Sequence, residues 1–385
     1  MVIGKNKCFL AGIILMSLCT VATGCWSYKE LDEMAIVAGM AVDKVDDKFL
    51  LTVEVVSPQL EAEGAKFESV LFDSAGRAVF DGIRNIIRKS GKKLFWSHAK
   101  ILIISKTAAE EGLVPVLDWV GRDVEVRGDM WILVSEEETA QEILKGEKGL
   151  YDILSFQIQD VLWAEEHLAR FPPMELWEFL NDIGEEGGGA VATGVYLVPH
   201  NGGKIPQVSG SALFKGARLV GWLDDIETRD MLWIRDEVQG GLVIVEEVGK
   251  EQTKVSMEIF NSRTKVKPAY EDGKLRMKIN IDLEMGIAEL STTKDYFTEE
   301  GITFLENATE RILQEQIKGT IRKVQREYGT DVFKFGQTIK REMPDRWRQM
   351  KEDWNDLYPG LDTEVNVKAK IKSTALMGKS IQVGE

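Results

Sequence analysis

The cysteine at position 25 is the residue whose surroundings best fit a defined chemical reaction. Three small residues, Ala22-Thr23-Gly24, lead directly to it. This run resembles a lipobox, although Ala22 stands where leucine is commoner. In a lipobox the cysteine thiol takes a diacylglyceryl group, and a peptidase then cuts in front of the cysteine. We therefore predict that Cys25 becomes an S-diacylglycerol cysteine with an N-acyl (palmitate) chain.

The 24 residues before Cys25 have the pattern of a secretory signal. Lys5 and Lys7 form a positive n-region, and an apolar run over residues 9–18 follows them. That run is too short to span a bilayer, which takes about 20 apolar residues. Removing the signal also removes Cys8 and Cys19, so the mature chain keeps Cys25 alone and cannot form an internal disulfide. This favours a bacterial lipoprotein held to a membrane by its acyl chains.

No other group of residues predicts catalysis, a metal or a cofactor. His98, His167 and His200 are far apart and match no metal-ligand spacing. Cysteine–histidine catalysis needs a free thiol, and the mature chain keeps only Cys25, which is predicted to be acylated. The sequence also has no G-x-S-x-G elbow of the kind that carries a nucleophilic serine. The glycine-rich stretch 184–189 is followed by no Lys-Ser/Thr pair, so it reads as a linker and not as a phosphate loop. We predict that the protein is not an enzyme.

Acidic pairs leave one catalytic alternative open. Asp224-Asp225, Glu246-Glu247 and Glu165-Glu166 could supply the two carboxylates of a glycosidase. The simpler interpretation is that they lie on solvated faces of an acidic chain. A surface hydrolase that uses such a pair is therefore the least favoured function for this chain.

Charge is distributed unevenly along the chain. The net charge is −15, and loss of the two signal lysines makes it −15 − 2 = −17, which argues against a nucleic-acid partner. Residues 311–351 are an exception, with 11 Lys/Arg against five Asp/Glu, a net charge of 11 − 5 = +6. This basic segment could face acidic headgroups or an acidic partner, or pair with the acidic remainder. Trp347 and Trp354, seven residues apart, fit core packing, although they could also anchor a partner.

Hydrophobic periodicity predicts mixed elements in the first half of the chain. We expect helices at 73–89, 107–119, 136–144, 153–168 and 173–181, with Gly91 ending the first. We expect strands at 35–43, 49–56, 100–105 and 129–134.

The second half of the chain is predicted to be richer in strands. These cover 191–198, 210–214, 218–222, 242–245, 254–265, 274–283 and 364–372. Helices are expected at 225–234, 298–328, 333–341 and 344–357. Asp272-Gly273 predicts a tight hairpin turn, and Leu313, Ile317, Ile321, Val324 and Tyr328 form the apolar stripe of the longest helix.

Strands, then helices, then a strand indicate an α+β fold with three mixed domains, each a sheet with packed helices. The predicted boundaries are 1–24 for the signal peptide and 25–189 for an N-terminal domain. A small middle domain at 190–240 and a C-terminal domain at 241–385 follow.

Several motifs together resemble one known family. They are Gly24-Cys25-Trp26, Ala35-Ile36-Val37-Ala38-Gly39-Met40-Ala41-Val42-Asp43, Lys93-Leu94-Phe95, His98-Ala99-Lys100, Arg122-Asp123-Val124-Glu125-Val126-Arg127, Gly210-Ser211-Ala212-Leu213-Phe214-Lys215, Leu219-Val220-Gly221-Trp222-Leu223, Asp331-Val332-Phe333-Lys334-Phe335-Gly336 and Tyr358-Pro359. Their order and spacing are similar to the Ger(x)C family, the C subunits of spore germinant receptors.

The resemblance implies more than the residues themselves do. Family members are lipoproteins on the outer face of the spore inner membrane, have three α+β domains and have no established enzymatic activity. They assemble with two polytopic subunits, the A-type and the B-type, in a receptor that senses nutrients and triggers germination. Only Cys25 carries over as a functional residue; the other motifs are expected to mark the fold.

One further interpretation of a tethered, non-catalytic chain stays open. A free-standing solute-binding lipoprotein would deliver a ligand to a transporter, and its fold would need βαβ units in two lobes. The predicted antiparallel hairpin and the late helical cluster favour the receptor subunit. Whether the chain touches a nutrient itself is left undecided by the sequence.

Overall fold

The structure is a computed structural model that describes residues 33–61, 64–248, 253–271, 273–291 and 296–373. It contains two β-sheets. The first has nine strands in the order β3-β2-β1-β5-β6-β7-β8-β9, with β4 paired to β1. Their bounds are β1 Met34–Val45, β2 Lys48–Glu61, β3 Gly64–Gly76, β4 Lys93–Phe95, β5 Ile101–Ser105, β6 Trp131–Ser135, β7 Val191–His200, β8 Gly203–Lys215 and β9 Arg218–Leu223.

The second sheet has four strands in sequence order. They are β10 Leu242–Val248, β11 Thr253–Glu271, β12 Lys274–Leu290 and β13 Asp362–Ser373. The helices are α1 Val79–Ser90, α2 Lys106–Glu111, α3 Val114–Arg122, α4 Ala140–Leu144, α5 Leu154–Trp163, α6 Leu176–Gly184, α7 Asp225–Ile234, α8 Glu299–Lys323, α9 Phe335–Glu342, α10 Pro344–Met350 and α11 Trp354–Leu357. A 3₁₀ turn, Ala164–His167, extends α5, and a π-helical turn, Val324–Tyr328, extends α8.

The centre of the first sheet is buried on both faces. Strands β5 and β6 run parallel to β1, and every residue in both is buried. Strands covered on both faces read as continuous apolar runs, which explains why 101–104 is Ile-Leu-Ile-Ile. Alternate side chains enter two cores, since Leu102 and Ile104 pack on one face and Ile101 and Ile103 on the other.

The second sheet packs one face against α8. Burial along β12 alternates over most of its length, as expected for a sheet with one solvated face. Leu313, Ile317 and Ile321 of the predicted stripe are buried on α8 and belong to the main core. The predicted hairpin is confirmed, because Glu271 pairs with Lys274 and Gly273 adopts a φ of +77°.

The start of the first predicted helix is wrong. Residues 73–76 belong to β3, where Ser74 pairs with Leu51 of β2, and α1 begins only at Val79. Pairing with β2 overrode a local helical pattern. The end of the helix is confirmed at Gly91, which has a φ of +70°.

Three other helices differ from the prediction. Residues 107–119 form two helices that break at Gly112, where φ is +122°. The helix expected at 136–144 begins only at Ala140, whose backbone N–H donates to the Asp43 carboxylate at 2.6 Å. Trp347 and Trp354 lie on separate short helices and not on one helical face.

The predicted α+β class is confirmed, but the arrangement of sheets differs from the expectation. The strands β7, β8 and β9, assigned to a separate middle domain, extend the first sheet through parallel pairing of β7 with β6. The division into three domains and the signal peptide stay predictions. Cys25 lies outside the described residues. Within them, no helix is long and apolar enough to cross a membrane.

Candidate functional site

The family-like motifs are places of close packing. A Cβ atom on Gly221 would lie 2.1 Å from Tyr328 Cε1, so only glycine lets β9 approach the end of α8. A Cβ atom on Gly39 would lie 2.2 Å from Ser155 Oγ, at the start of α5. These glycines therefore allow neighbouring elements to pack closely.

The glycine-rich segment 184–189 joins α6 to β7 and packs against the C-terminal helices. A Cβ atom on Gly187 would lie 2.5 Å from Trp354 Cδ1, and Gly189 donates its N–H to the Asp331 carbonyl at 3.0 Å. Its two glutamates form ion pairs, Glu185 with Lys340 at 2.6 Å and Glu186 with Lys351 at 3.1 Å. The predicted linker is thus a connection whose conformation the last helices stabilise.

The predicted basic segment is partly neutralised by acidic neighbours. Lys323 pairs with Glu227 at 2.7 Å, and Lys334 approaches Asp182 at 3.5 Å. Together with the pairs to 185 and 186, these contacts confirm that much of this charge meets the acidic remainder. Arg311, Arg322 and Arg326 are exposed and form no ion pair within the described part of the chain.

Trp347 and Trp354 are core residues, as the simpler interpretation held. Both are almost fully buried, and their rings meet edge to face with centroids 5.4 Å apart. Tyr358 completes the cluster, with its ring centroid 6.0 Å from that of Trp354. Aromatic groups buried in this way stabilise the fold and are unavailable to a partner.

The three histidines are not brought together. The His98 ring lies 5.9 Å from that of Phe95, His167 lies 3.5 Å from Glu166, and His200 contacts its neighbour Asn201. No group of metal-ligating side chains occurs among the described residues.

Three acids of the predicted acidic pairs have structural roles. Asp224 caps α7 by accepting from the N–H groups of Ile226 and Glu227 at 2.9 and 2.8 Å. Asp225 pairs with Arg170 at 2.6 Å, and Glu246 pairs with Lys254 at 2.8 Å. These three carboxylates have partners of their own, so they do not form a pair that faces a substrate.

Glu165 and Asp230 are buried acids with a perturbed pKa. Burial raises the pKa of Glu165 to about 7, and the nearby negative charge of Glu237 adds to this. Burial also raises the pKa of Asp230 to about 7, against hydrogen bonds from Thr320 at 2.7 Å and Gln316 at 3.2 Å. Such groups are often functional, although buried polar networks produce the same shifts.

A cleft of about 580 Å³ opens where α7, β10 and α8 meet. Three arginines line it: Arg170, which precedes α6, Arg229 on α7 and Arg311 on α8. Three isoleucines, Ile226, Ile244 and Ile312, form its apolar part. We refer to these six residues as the arginine cleft; Glu246 and Gln316 lie beside them.

Sequence reasoning missed Arg170 and Arg229. Arg229 is 4% exposed, and its guanidinium lies 5.0 Å from the ring of Trp233, four residues further along α7. An arginine and a tryptophan at this spacing in a helix can form a cation–π contact, which was the available signal. Arg170 had no such signal, because it reaches the cleft through a turn.

Comparison with protein families covers both halves of the chain. Residues 27–196 match the family described as spore germination protein N-terminal domain, and residues 209–375 match spore germination B3/GerAC like, C-terminal. The chain belongs to the Ger(x)C family. The boundary between the two matches, 196–209, falls within β7 and β8 of the first sheet.

Curated relatives match the chain over nearly its whole length. Spore germination protein KC of Bacillus subtilis (strain 168) is 24% identical and covers 98% of each chain. Spore germination protein B3 of the same organism is 24% identical over 95% of this chain and 97% of its own. Spore germination protein A3, also of that organism, is 25% identical over 92% and 96%. The similarity to these spore germination proteins supports a role in spore germination for this chain.

A solved structure has the same fold. The crystal structure of the GerBC protein aligns with a TM-score of 0.58 at 20% identity, covering 90% of this chain and 99% of that one. At this identity the likeness concerns the fold.

Proposed function

We propose that this Ger(x)C protein is the non-enzymatic lipoprotein subunit of a nutrient germinant receptor, needed to trigger germination. It would sit on the outer face of the spore inner membrane with two polytopic subunits, the A-type and the B-type. The observation that carries the proposal is the match of both halves of the chain to spore germination families. The lone mature cysteine behind a secretory signal supports the membrane anchor.

The position of Cys25 suggests which end of the fold faces the bilayer. Cys25 lies nine positions before Met34 at the start of β1, and an extended chain spans at most about 3.3–3.6 Å per residue, or about 30 Å over that length. The same end carries Lys93, which pairs with Met34 in the sheet and forms an ion pair with Glu125. Val124, beside that glutamate, is 98% exposed.

The exposed cations suggest a surface for the partner subunits. Arg322 and Arg326 lie at the end of α8 and in the following π-helical turn, four residues apart, in a protein of net charge −15. Opposite charge on a partner would orient the encounter without adding much affinity. Reversing Arg322 and Arg326 to glutamate is expected to reduce assembly more than stability.

The partners of the candidate acids in the described chain are compatible with a non-enzymatic role. Asp224 serves as a helix cap, and Asp225 and Glu246 serve as ion-pair partners. Tethering to the membrane would instead raise the local concentration of the subunit around its partners.

Affinity purification of the full-length lipidated protein from spore membranes in mild detergent tests the proposal. Mass spectrometry should recover two polytopic subunits, one of them transporter-like. Recovery of this protein alone, where another membrane complex survives the same treatment, would sink the receptor assignment. It would favour the solute-binding lipoprotein.

The lipid anchor has its own test. The variant Cys25→Ala should keep the melting temperature of the wild type and lose membrane retention, because two or more acyl chains are needed for stable anchoring. Sedimentation of the variant with membranes after a detergent-free, high-salt wash would contradict lipid anchoring.

A further inference from the structure

We propose that the arginine cleft binds a small organic anion that carries an apolar group, such as a branched short-chain carboxylate, because it places unpaired cationic charge beside exposed isoleucines. This inference goes beyond the receptor role, since it concerns a ligand site within this chain alone. The volume of about 580 Å³ lies within the range usual for small-molecule sites, about 300–1,000 Å³.

The cationic charge in the cleft is only partly balanced. Arg170 is paired with Asp225 at 2.6 Å. The exposed Arg311 forms no ion pair within the described residues. The one acid lining the cleft, Glu246, is engaged with Lys254 at 2.8 Å. A ligand anion would therefore meet Arg311, a cationic side chain that has no ion-pair partner within the described residues.

Arg229 is a second cation of the cleft, and it has no ion-pair partner within the described residues. It is 4% exposed, and its Nη1 donates to the Leu242 carbonyl at 2.8 Å, while Nε is buried without an acceptor in the described chain. Its neighbour Asp230 accepts from Thr320 and Gln316 on α8 and forms no ion pair with it, so the two charges interact only at longer range. A buried charge with so few partners is costly, and an anion in the cleft would offset that cost.

The apolar side of the cleft supplies the second half of the recognition. Ile226 is 42% exposed and Ile244 is 48% exposed, and both face the cleft that the arginines line. Ile312 is partly buried and joins this surface to the main core. A ligand that covers the isoleucines removes apolar area from water, which a bare inorganic anion would not do.

Calorimetric titration of the full-length protein in detergent tests this inference with 4-methylpentanoate as the probe. The matched neutral probe is 4-methylpentanamide, which has nearly the same shape and no charge. We expect one carboxylate site with a dissociation constant of about 1 mM, since a ligand of so few atoms cannot bind tightly. The amide should not bind measurably.

The variant Arg311→Gln assigns binding to the cleft. Arg311 is exposed, so the variant should fold, and we expect it to weaken 4-methylpentanoate binding about tenfold, or about 1.4 kcal/mol. Arg322→Gln is the matched control, because it removes the same charge from the same helix outside the cleft. It should leave the affinity unchanged.

Three results would overturn the inference: no carboxylate binding, equal binding of acid and amide, or equal weakening by Arg311→Gln and Arg322→Gln. The assay contains no partner subunit. A failed co-purification would therefore not contradict ligand binding in the arginine cleft. A failed ligand titration would likewise not contradict the receptor role.

Discussion

Glu54, in the first sheet, and Asp230, between the two sheets, are both buried carboxyl groups with different partners. Glu54 accepts from the backbone N–H groups of Leu154 and Ser155 at 3.0 and 2.8 Å, and from the hydroxyls of Ser155 and Ser69 at 2.5 and 2.6 Å. Asp230 accepts from two side chains on α8, a hydroxyl and an amide.

The two sites differ in whether their donor groups can also accommodate a neutral, protonated carboxyl group. Backbone N–H groups at the start of α5 can only donate, and the helix dipole adds to their preference for an anion. Hydroxyl and amide side chains can also accept, so they accommodate a neutral acid. Glu54 therefore serves as a helix cap, whereas the raised pKa of Asp230 marks an acid for which burial outweighs its contacts.

The largest effect is expected at Glu54. Glutamine has one acceptor oxygen for four donors, and its NH₂ group would face donors at the start of α5. Glu54→Gln should therefore lower the free energy of unfolding by about 3 kcal/mol. Urea denaturation measures the change, with Glu68→Gln, an exposed neighbour in β3, as the control. A loss of stability no larger than that of the control would contradict the capping role of Glu54.

Asp331 tests whether backbone donors or charge decide the outcome. It accepts from the N–H groups of Phe335 and Gly336 at 3.1 and 2.7 Å, yet burial raises its pKa to about 6. Asp331→Ala leaves both donors unpaired and should cost about 2 kcal/mol. Asp331→Asn keeps an acceptor and should restore much of that stability. Equal losses in both variants would mean that the carboxylate charge is what matters.

Asp230→Asn should raise the free energy of unfolding, whereas the substitutions at Glu54 and Asp331 should lower it. The pKa rises from 3.8 to about 7 on folding, so the folded state binds the proton more tightly. Stability is then lost as the pH rises from about 4 to about 7, and the loss is complete above that range. Asparagine should stabilise the protein by about 1 kcal/mol at about pH 8 and flatten this decline.

Denaturation of the wild type and Asp230→Asn across that pH range makes the comparison. Glu186→Gln is the control, because its carboxylate is exposed. A variant less stable than the wild type at about pH 8 would show that the charge of Asp230 is needed, by Arg229 above all.

The smallest effect is expected from the exposed ion pairs at segment 184–189. Glu186→Gln breaks the contact with Lys351, and solvent screening should limit the change to about 0.5 kcal/mol or less. Thermal denaturation at low and high salt would measure it. A larger, salt-sensitive loss would show that these exposed ion pairs stabilise the fold as much as the buried carboxylates do.

Much of this fold is readable from local sequence patterns. The end of α1 at Gly91, the β11–β12 hairpin and the apolar stripe of α8 follow from rules that act within a few residues. The predicted secretory signal that precedes Cys25 is likewise a local pattern, so the prediction for Cys25 needs no tertiary structure.

The packing of the site was decided by tertiary structure. Ser155, which donates to the capping carboxylate of Glu54, lies 101 residues from it along the chain. Arg170 meets Arg229 and Arg311 only where three elements converge. The same holds for residues 73–76, whose helical pattern was overridden by a partner strand. Local periodicity specifies which face of an element is apolar, but which distant groups meet there depends on how the sheets and helices pack together.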